Sequence, residues 1–349
     1  MTVGYKPFRS VVAGLEGLNL LEVKVGTKGS LGGRKGEATT MRAKLALFEI
    51  ALRYGVTPAT LGTHFRQMPR LATIPKPIML RSSSTNFYGK KLPGKNMLVD
   101  KSLLVVQRLG RQVNAINGFL ATQDLWLGEY QHRFFVRIFG QGDCGGEKFD
   151  KGGRLYSPGA DSYQQMPSAE RKHIRINDEA TVEIDIKSSF LTIYRAGCDV
   201  PFDPAADYYD IRGVPRLVAK SWIVMTFGHD IFHKVWPKEV KAKYRKSGLG
   251  SGDLQRDHPI ADTRRRIIEV LPELSDWPTS NVRWGALQYV ESCAVIDTVH
   301  ALTMRGIAAL PVHDSIIVAA RYQAAAEDIL ADRFEHHVGV RPALSAKSR

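Results

Sequence analysis

The segment GIAALPVHDSIIVAA, residues 306–320, constrains the fold of this chain more than any other. Two short apolar runs flank His313-Asp314-Ser315, a pattern that predicts a β-hairpin carrying a carboxylate at its tip. A second segment, ATVEIDIKSSFLTIY at residues 180–194, carries another such carboxylate. Val182, Ile184 and Ile186 alternate with Glu183 and Asp185, as in a half-buried strand, and Lys187, Ser188 and Ser189 then lead into a helical run. Asp185 therefore falls at the C-terminal end of a strand.

Two carboxylates on separate elements have a chemical use. Phosphoryl transfer by two metal ions needs acidic ligands close enough to bridge cations about 3.5–4 Å apart. Each element alone also has a plainer reading: an Asp beside Ser-Ser is commonly a helix N-cap, and an Asp in a hairpin turn commonly stabilises the turn. Between the two segments, residues 207–228 (DYYDIRGVPRLVAKSWIVMTFG) place Arg216 and Lys220 four apart on one helical face. Such cations either meet the phosphates of a nucleoside triphosphate or belong to a solvated face. Phe227 and Gly228 close that helix two turns later.

The charge balance favours the phosphate reading. Lys and Arg number 49 against 35 Asp and Glu, a net charge of +14, which favours a polyanionic partner. The excess concentrates in residues 1–100, with 16 basic and 5 acidic side chains. Residues 1 to about 40 read as a flexible Gly- and Lys-rich basic arm. Residues 40–70 read as two helices broken at Gly55, the second carrying Leu61 and Phe65, with a spacing that suits a helix-turn-helix or any other helical hairpin.

A polar link over residues 73–97 precedes a long amphipathic helix over 101–127, with Arg108 and Arg111 on its polar side. Residues 140–180 read as an extended loop region, after which strands and helices alternate in an α+β pattern. The segment LQYVESCAVIDTVHALTMRG reads as a core-packing helix whose polar stripe includes Gln288 and Glu291; Trp222, Trp236 and Trp284 read as core or hinge residues. No apolar run approaches the roughly 18 residues needed to span a bilayer, and MTVGYKPFRS lacks the apolar core of a signal peptide. Cys144, Cys198 and Cys293 lack ligand spacing, so neither disulfides nor zinc are expected, and the expected location is the reducing cytoplasm.

The order of these elements resembles motifs A, B and C of the superfamily that unites family A DNA polymerases with phage and mitochondrial single-subunit RNA polymerases. The matching residues are Asp185-xx-Ser188, then Arg216-xxx-Lys220 with Phe227-Gly228 two turns on, then His313-Asp314. FDKGGRLYS at residues 149–157 is similar to the Gly-Arg-x-Tyr segment with which those enzymes approach template and hybrid, and QRLGRQVNAINGFLA at 107–121 looks like the helix before it. His-Asp-Ser at the hairpin leans toward the RNA-polymerase branch.

Residues 1–100 match nothing in that superfamily, and their charge excess is what marks them as a mostly helical, basic nucleic-acid-binding region. The resemblance, over roughly residues 100–335, implies a right-hand polymerase: a palm over residues 171–349, a small helical fingers insertion at about 207–285, and a thumb-like helix and template-contact loop over 101–170. It implies that Asp185, Asp314 and the backbone carbonyl of Ile186 bind two magnesium ions, or manganese, and that Arg216 and Lys220 hold the triphosphate, with Lys220 also protonating pyrophosphate. Phe227 and Gly228 are implied to lie near the nascent base pair. His313 is implied to position the primer terminus, and Arg154, Tyr156 and Arg111 to contact primer-template. Phe190, five residues after Asp185, occupies the place where a bulky side chain excludes a 2′-hydroxyl, which favours deoxynucleotides. The family's tyrosine after motif B lies one position further on than Phe227, and Asp314 follows Lys220 by only 94 residues, which implies reduced fingers. The expected activity is template-directed nucleotidyl transfer, with DNA synthesis favoured. A single-subunit RNA polymerase or primase, and a non-catalytic DNA-binding replication or regulatory protein, are the alternatives.

Overall fold

The computed structural model describes residues 5–27, 37–60, 76–87, 90–145, 149–229 and 231–347. The chain divides into two compact units, Met1–Leu71 and Ala72–Arg349. In the first, helix α1 (Tyr5–Gly17) is followed by an antiparallel pair, β1 (Leu21–Lys24) and β2 (Thr40–Ala43), and then by α2 (Leu45–Arg53). Helix α2 ends where the sequence predicts a break, at Gly55, whose φ of +69° suits a residue without a Cβ. The second helix of the expected pair, with Leu61 and Phe65, lies outside the described residues, as do residues 28–36 of the basic arm.

The second unit begins with β3 (Ile78–Arg81), the hairpin of β4 (Thr85–Phe87) and β5 (Lys90–Leu92), β6 (Asn96–Met97), α3 (Leu104–Leu120), β7 (Leu125–Trp126), β8 (Val136–Phe139) and β9 (Gly152–Tyr156). It continues through a short α4 (Ser168–Arg171), β10 (Arg175–Ile176), β11 (Glu179–Ile186), α5 (Ser189–Gly197), α6 (Arg216–Phe227), α7 (Lys238–Lys246), α8 (Leu254–Asp257) and α9 (Ile260–Val270). Helix α10 (Trp284–Met304), β12 (Ala309–Val312), β13 (Ser315–Ala319), α11 (Gln323–Val338) and β14 (Leu344–Lys347) complete it. The fold is mixed α+β. Residues 72–100, expected to go with the N-terminal region, join this unit because β3 pairs in parallel with β8.

Two sheets frame the core. One runs β12-β13-β11-β10-β7, with β14 added to the C-terminal half of β11; the other runs β6-β3-β8-β9. The turn from β10 to β11 is a two-residue loop in which Asn177 and Asp178 both have positive φ, the geometry that matches the twist of the strands it joins. Helix α3 buries Val106, Leu109, Val113, Ile116 and Leu120 along one stripe and turns Arg108 and Arg111 to solvent, as its period requires. Helix α10 touches β9, α3, α5, α11 and β12. Its last three turns are buried on nearly every side.

The extended loop expected over residues 140–180 contains a strand instead. Gly152 and Gly153 have φ of +76° and +80°, and a Cβ on Gly153 would lie 2.9 Å from the Phe139 ring and 3.1 Å from Ser292 Oγ. These glycines let β9 lie close against α10, where Ser292 Oγ donates to the Gly152 carbonyl at 3.0 Å. Glycine content that reads as loop is here a close-packing device.

Candidate active site

Strand β11 buries Val182, Ile184 and Ile186 on one face, which leaves Glu183 and Asp185 on the other. Asp185 is directly opposite Ser315 in the β11–β13 register, and the Ile186 N–H donates to the Asp314 carbonyl at 3.3 Å. The strand-end aspartate and the hairpin aspartate are thereby brought to the same end of adjacent strands. Each is followed or preceded by a strained residue: Ser188 has φ +54° and His313 has φ +57°. The left-handed region is uncommon for non-glycine residues and collects at functional sites. Ser188 reverses the chain into α5, and His313 opens the two-residue turn of the β12–β13 hairpin.

Burial, and then the neighbouring charge of Asp314, push the Asp185 carboxyl up to about 6. Glu183 pushes in the same direction, whereas Lys347, with its Nζ 3.6 Å from Asp185 Oδ2, and Lys220 pull it back. Glu183, two residues away on the same face, is treated differently. Burial would raise it, but Arg171 holds both of its oxygens at 2.8 and 3.0 Å and Ser315 Oγ donates at 3.0 Å, so the net shift is downward. Ser315 also donates to the Val312 carbonyl, so this serine ties the hairpin to β11.

A half-buried pair of like charges fits a cation, because positive charge between the carboxylates relieves both their repulsion and their lost hydration. Among the described residues no group of three or more His, Cys, Asp or Glu side chains stands together as metal ligands. Two carboxylates are a donor set suited to magnesium, which commonly takes one or two from the protein and fills its remaining positions with water and substrate phosphate.

Arg216 and Lys220, both exposed, begin α6, and the ring of the buried Tyr209 lies beneath them, 5.3 Å from the Arg216 guanidinium and 5.7 Å from Lys220 Nζ. Arg216 Nε also donates to Asp207 at 2.5 Å. Burial raises the Tyr209 phenol, and Ser188 and Arg216 oppose that rise. Sequence reasoning passed over Tyr209.

Phe227 is corrected to a core residue. It is 1% exposed, with its ring packed edge-on against Tyr194 at 5.6 Å and Trp277 at 4.9 Å, so no face remains for a base. Gly228 caps the helix at the surface. Arg111 is exposed on α3 and Tyr156 is half-buried at the end of β9. Burial lowers the His313 imidazole, Arg154 and Arg171 push the same way, and Asp314 opposes them.

Glu291 stands out among the residues that the sequence left structural. It is 1% exposed on α10, yet its carboxylate accepts from Ser189 Oγ with one oxygen and from the Arg154 guanidinium with the other. Burial pushes its carboxyl up to about 7 against the pull of Arg154. The Arg154 guanidinium lies 5.7 Å from the centroid of the Phe190 ring, and the Trp284 ring packs on Phe190 at 4.6 Å.

No family model and no curated protein matches the chain. Among solved structures it has a loose likeness to the POL domain of Pol1 from M. smegmatis, in a complex with DNA primer-template and dNTP. The identity is 15% and the TM-score 0.28, over 56% of this chain and 45% of that one, so the chain spans less than half of that structure's length. The reading of the site therefore stands on its own residues. Among the described residues no helix is long and apolar enough to cross a membrane.

Proposed function

We propose that this chain is a template-directed nucleotidyltransferase that extends a primer 3′-hydroxyl, with deoxynucleotides as the favoured substrate. The observation that carries the reading is the pairing of Asp185 with Asp314: one aspartate at the end of β11 and one in the turn of the hairpin beside it, the first held up to about 6, with Lys220 close enough to pull it back. Carboxylates that repel one another in a half-buried place weaken the fold unless a function repays them.

In this reading Asp185, Asp314 and the Ile186 carbonyl hold magnesium, which would acidify the primer hydroxyl and balance the charge that develops on pyrophosphate. Lys220 meets the triphosphate and is the group able to return a proton to the leaving pyrophosphate. Arg216 joins it by exchanging Asp207 for phosphate, a small step for an exposed pair. Phe190 packs under the sugar. His313, at the first position of the hairpin turn, is available to hold the primer terminus, and the net charge of +14 supplies sequence-independent attraction for the phosphate backbone.

Ser315 bears on the choice between DNA and RNA synthesis. Its hydroxyl is committed to Glu183 and to the Val312 carbonyl, so serine after the hairpin aspartate has a structural reason to be there, and its weight toward an RNA-polymerase branch falls. The test is extension of a labelled primer on DNA and RNA templates with dNTPs or NTPs and magnesium. Extension with dNTPs that Asp185→Ala and Asp314→Ala each abolish supports the reading. Activity that survives both substitutions removes it, and binding of primer-template without turnover favours a non-catalytic DNA-binding protein.

A further inference from the structure

The carboxylate of Glu291 joins three elements at one point. It lies on α10, takes Ser189 from the first residue of α5, and takes Arg154 from the middle of β9. Ser189 is 4% exposed and the Arg154 side chain 14% exposed, so this is an interior junction, not a surface pair. Phe190 follows Ser189 directly and has the Arg154 guanidinium on one side and the Trp284 indole on another.

Resting on the polymerase reading, we propose that Glu291 is a positioning residue for sugar selection: through Ser189 and Arg154 it fixes the Phe190 ring against Trp284, and so sets the clearance beside the nucleotide's C2′. The argument is steric. A half-buried phenylalanine at the start of a helix has more than one open rotamer unless neighbours close them. Here the Ser189 hydroxyl, one residue before Phe190, is tied to Glu291, the ring carries a cation on one side, and Trp284 blocks the edge. With Glu291 neutral, Arg154 loses its counter-charge and the constraint on Phe190 with it. The cation–π contact and the aromatic contact are each modest, so the brace is expected to tune selection without creating it.

Single-nucleotide incorporation by the full chain, on a DNA primer-template with magnesium, gives kcat/KM for a dNTP and for the matching NTP. Wild type is expected to prefer the dNTP. Glu291→Gln is expected to lower that preference about tenfold, equivalent to ~1.4 kcal/mol, with kcat for the dNTP falling less than the ratio does. Trp284→Leu is expected to act in the same direction. Combined with Phe190→Gly, Glu291→Gln is expected to add nothing to the loss seen in Phe190→Gly alone, because both act through one ring. A ratio unchanged in Glu291→Gln, or losses that multiply in the double variant, overturns the proposal; so does a wild type without deoxynucleotide preference. Should Glu291→Gln fail to fold, Ser189→Ala removes one arm of the brace, with an expected fall of roughly twofold to fivefold, and an unchanged ratio there overturns it equally. Turnover with an unchanged ratio sinks only this inference, whereas a wild type inactive on every primed template sinks the polymerase reading and the brace together.

Discussion

The base and the tip of β11 treat a carboxylate in opposite ways. At the base, Glu183 is given a guanidinium and a hydroxyl, and its pKa falls below the usual value despite burial. At the tip, two residues on, burial and a second carboxylate push Asp185 up to about 6 against the pull of a lysine 3.6 Å away. Same strand and same face give opposite outcomes, although Glu183 is the less exposed of the two, so burial alone does not decide them. The partners do: Glu183 is paired within the chain, whereas Asp185 is left beside a second carboxylate, the place where our proposal puts a cation.

The sharpest way to break this comparison is to neutralise the tip. Asp185→Asn and Asp314→Asn are each expected to lower primer extension ~10³-fold or more, about 4 kcal/mol of lost transition-state stabilisation, in steady-state incorporation assays. At the base, Arg171→Ala is expected to lower stability by about 3 kcal/mol, because it strands Glu183 as an uncompensated buried charge. Urea unfolding followed by circular dichroism measures this, and the wild-type-like slope expected there would confirm that only the native state is affected.

A smaller effect has a pH signature. The Asp185 carboxyl is raised from 3.8 to about 6, so the native state binds its proton more tightly than the unfolded chain does. The stability linked to that proton is fully present below about pH 4 and is lost as pH rises to about 6. Asp185→Asn is therefore expected to match wild type near pH 4 and to exceed it by about 1–2 kcal/mol above pH 6 in metal-free buffer, the full shift being discounted for partial exposure. Melting curves across that range check the sign. The smallest expected effect is that of Lys347→Met, which removes a charge that pulls Asp185 down. The midpoint for Asp185 should move further up, read as a shift to higher pH in the onset of magnesium-dependent thermal stabilisation.

What the sequence made legible was whatever its periodicity carried within one window. The alternation around Asp185, the two apolar runs around His313-Asp314 and the stripe of Val106, Leu109, Val113 and Ile116 all became the elements they predict. Contacts between distant positions were not legible in this way. Glu291 reads as the polar stripe of a core helix because nothing in its own window reveals that Arg154, 137 residues earlier, reaches it. Strand β9 was hidden by the glycines that let it approach α10. Phe227 shows a different limit. It lies on the same helical face as Lys220, two turns away, so spacing alone groups them. Lys220 is exposed, while Tyr194 and Trp277 cover Phe227, and periodicity sets a residue's face without saying what covers it.

The central claim, that Asp185 and Asp314 form one cation site, is tested most directly by anomalous diffraction from crystals of the chain soaked in manganese. The account predicts an anomalous peak between the two carboxylates, with a second about 3.5–4 Å from it once primer-template and nucleotide are present. A peak that persists in Asp185→Asn crystals, or manganese bound elsewhere while this pair stays without it, would contradict the account.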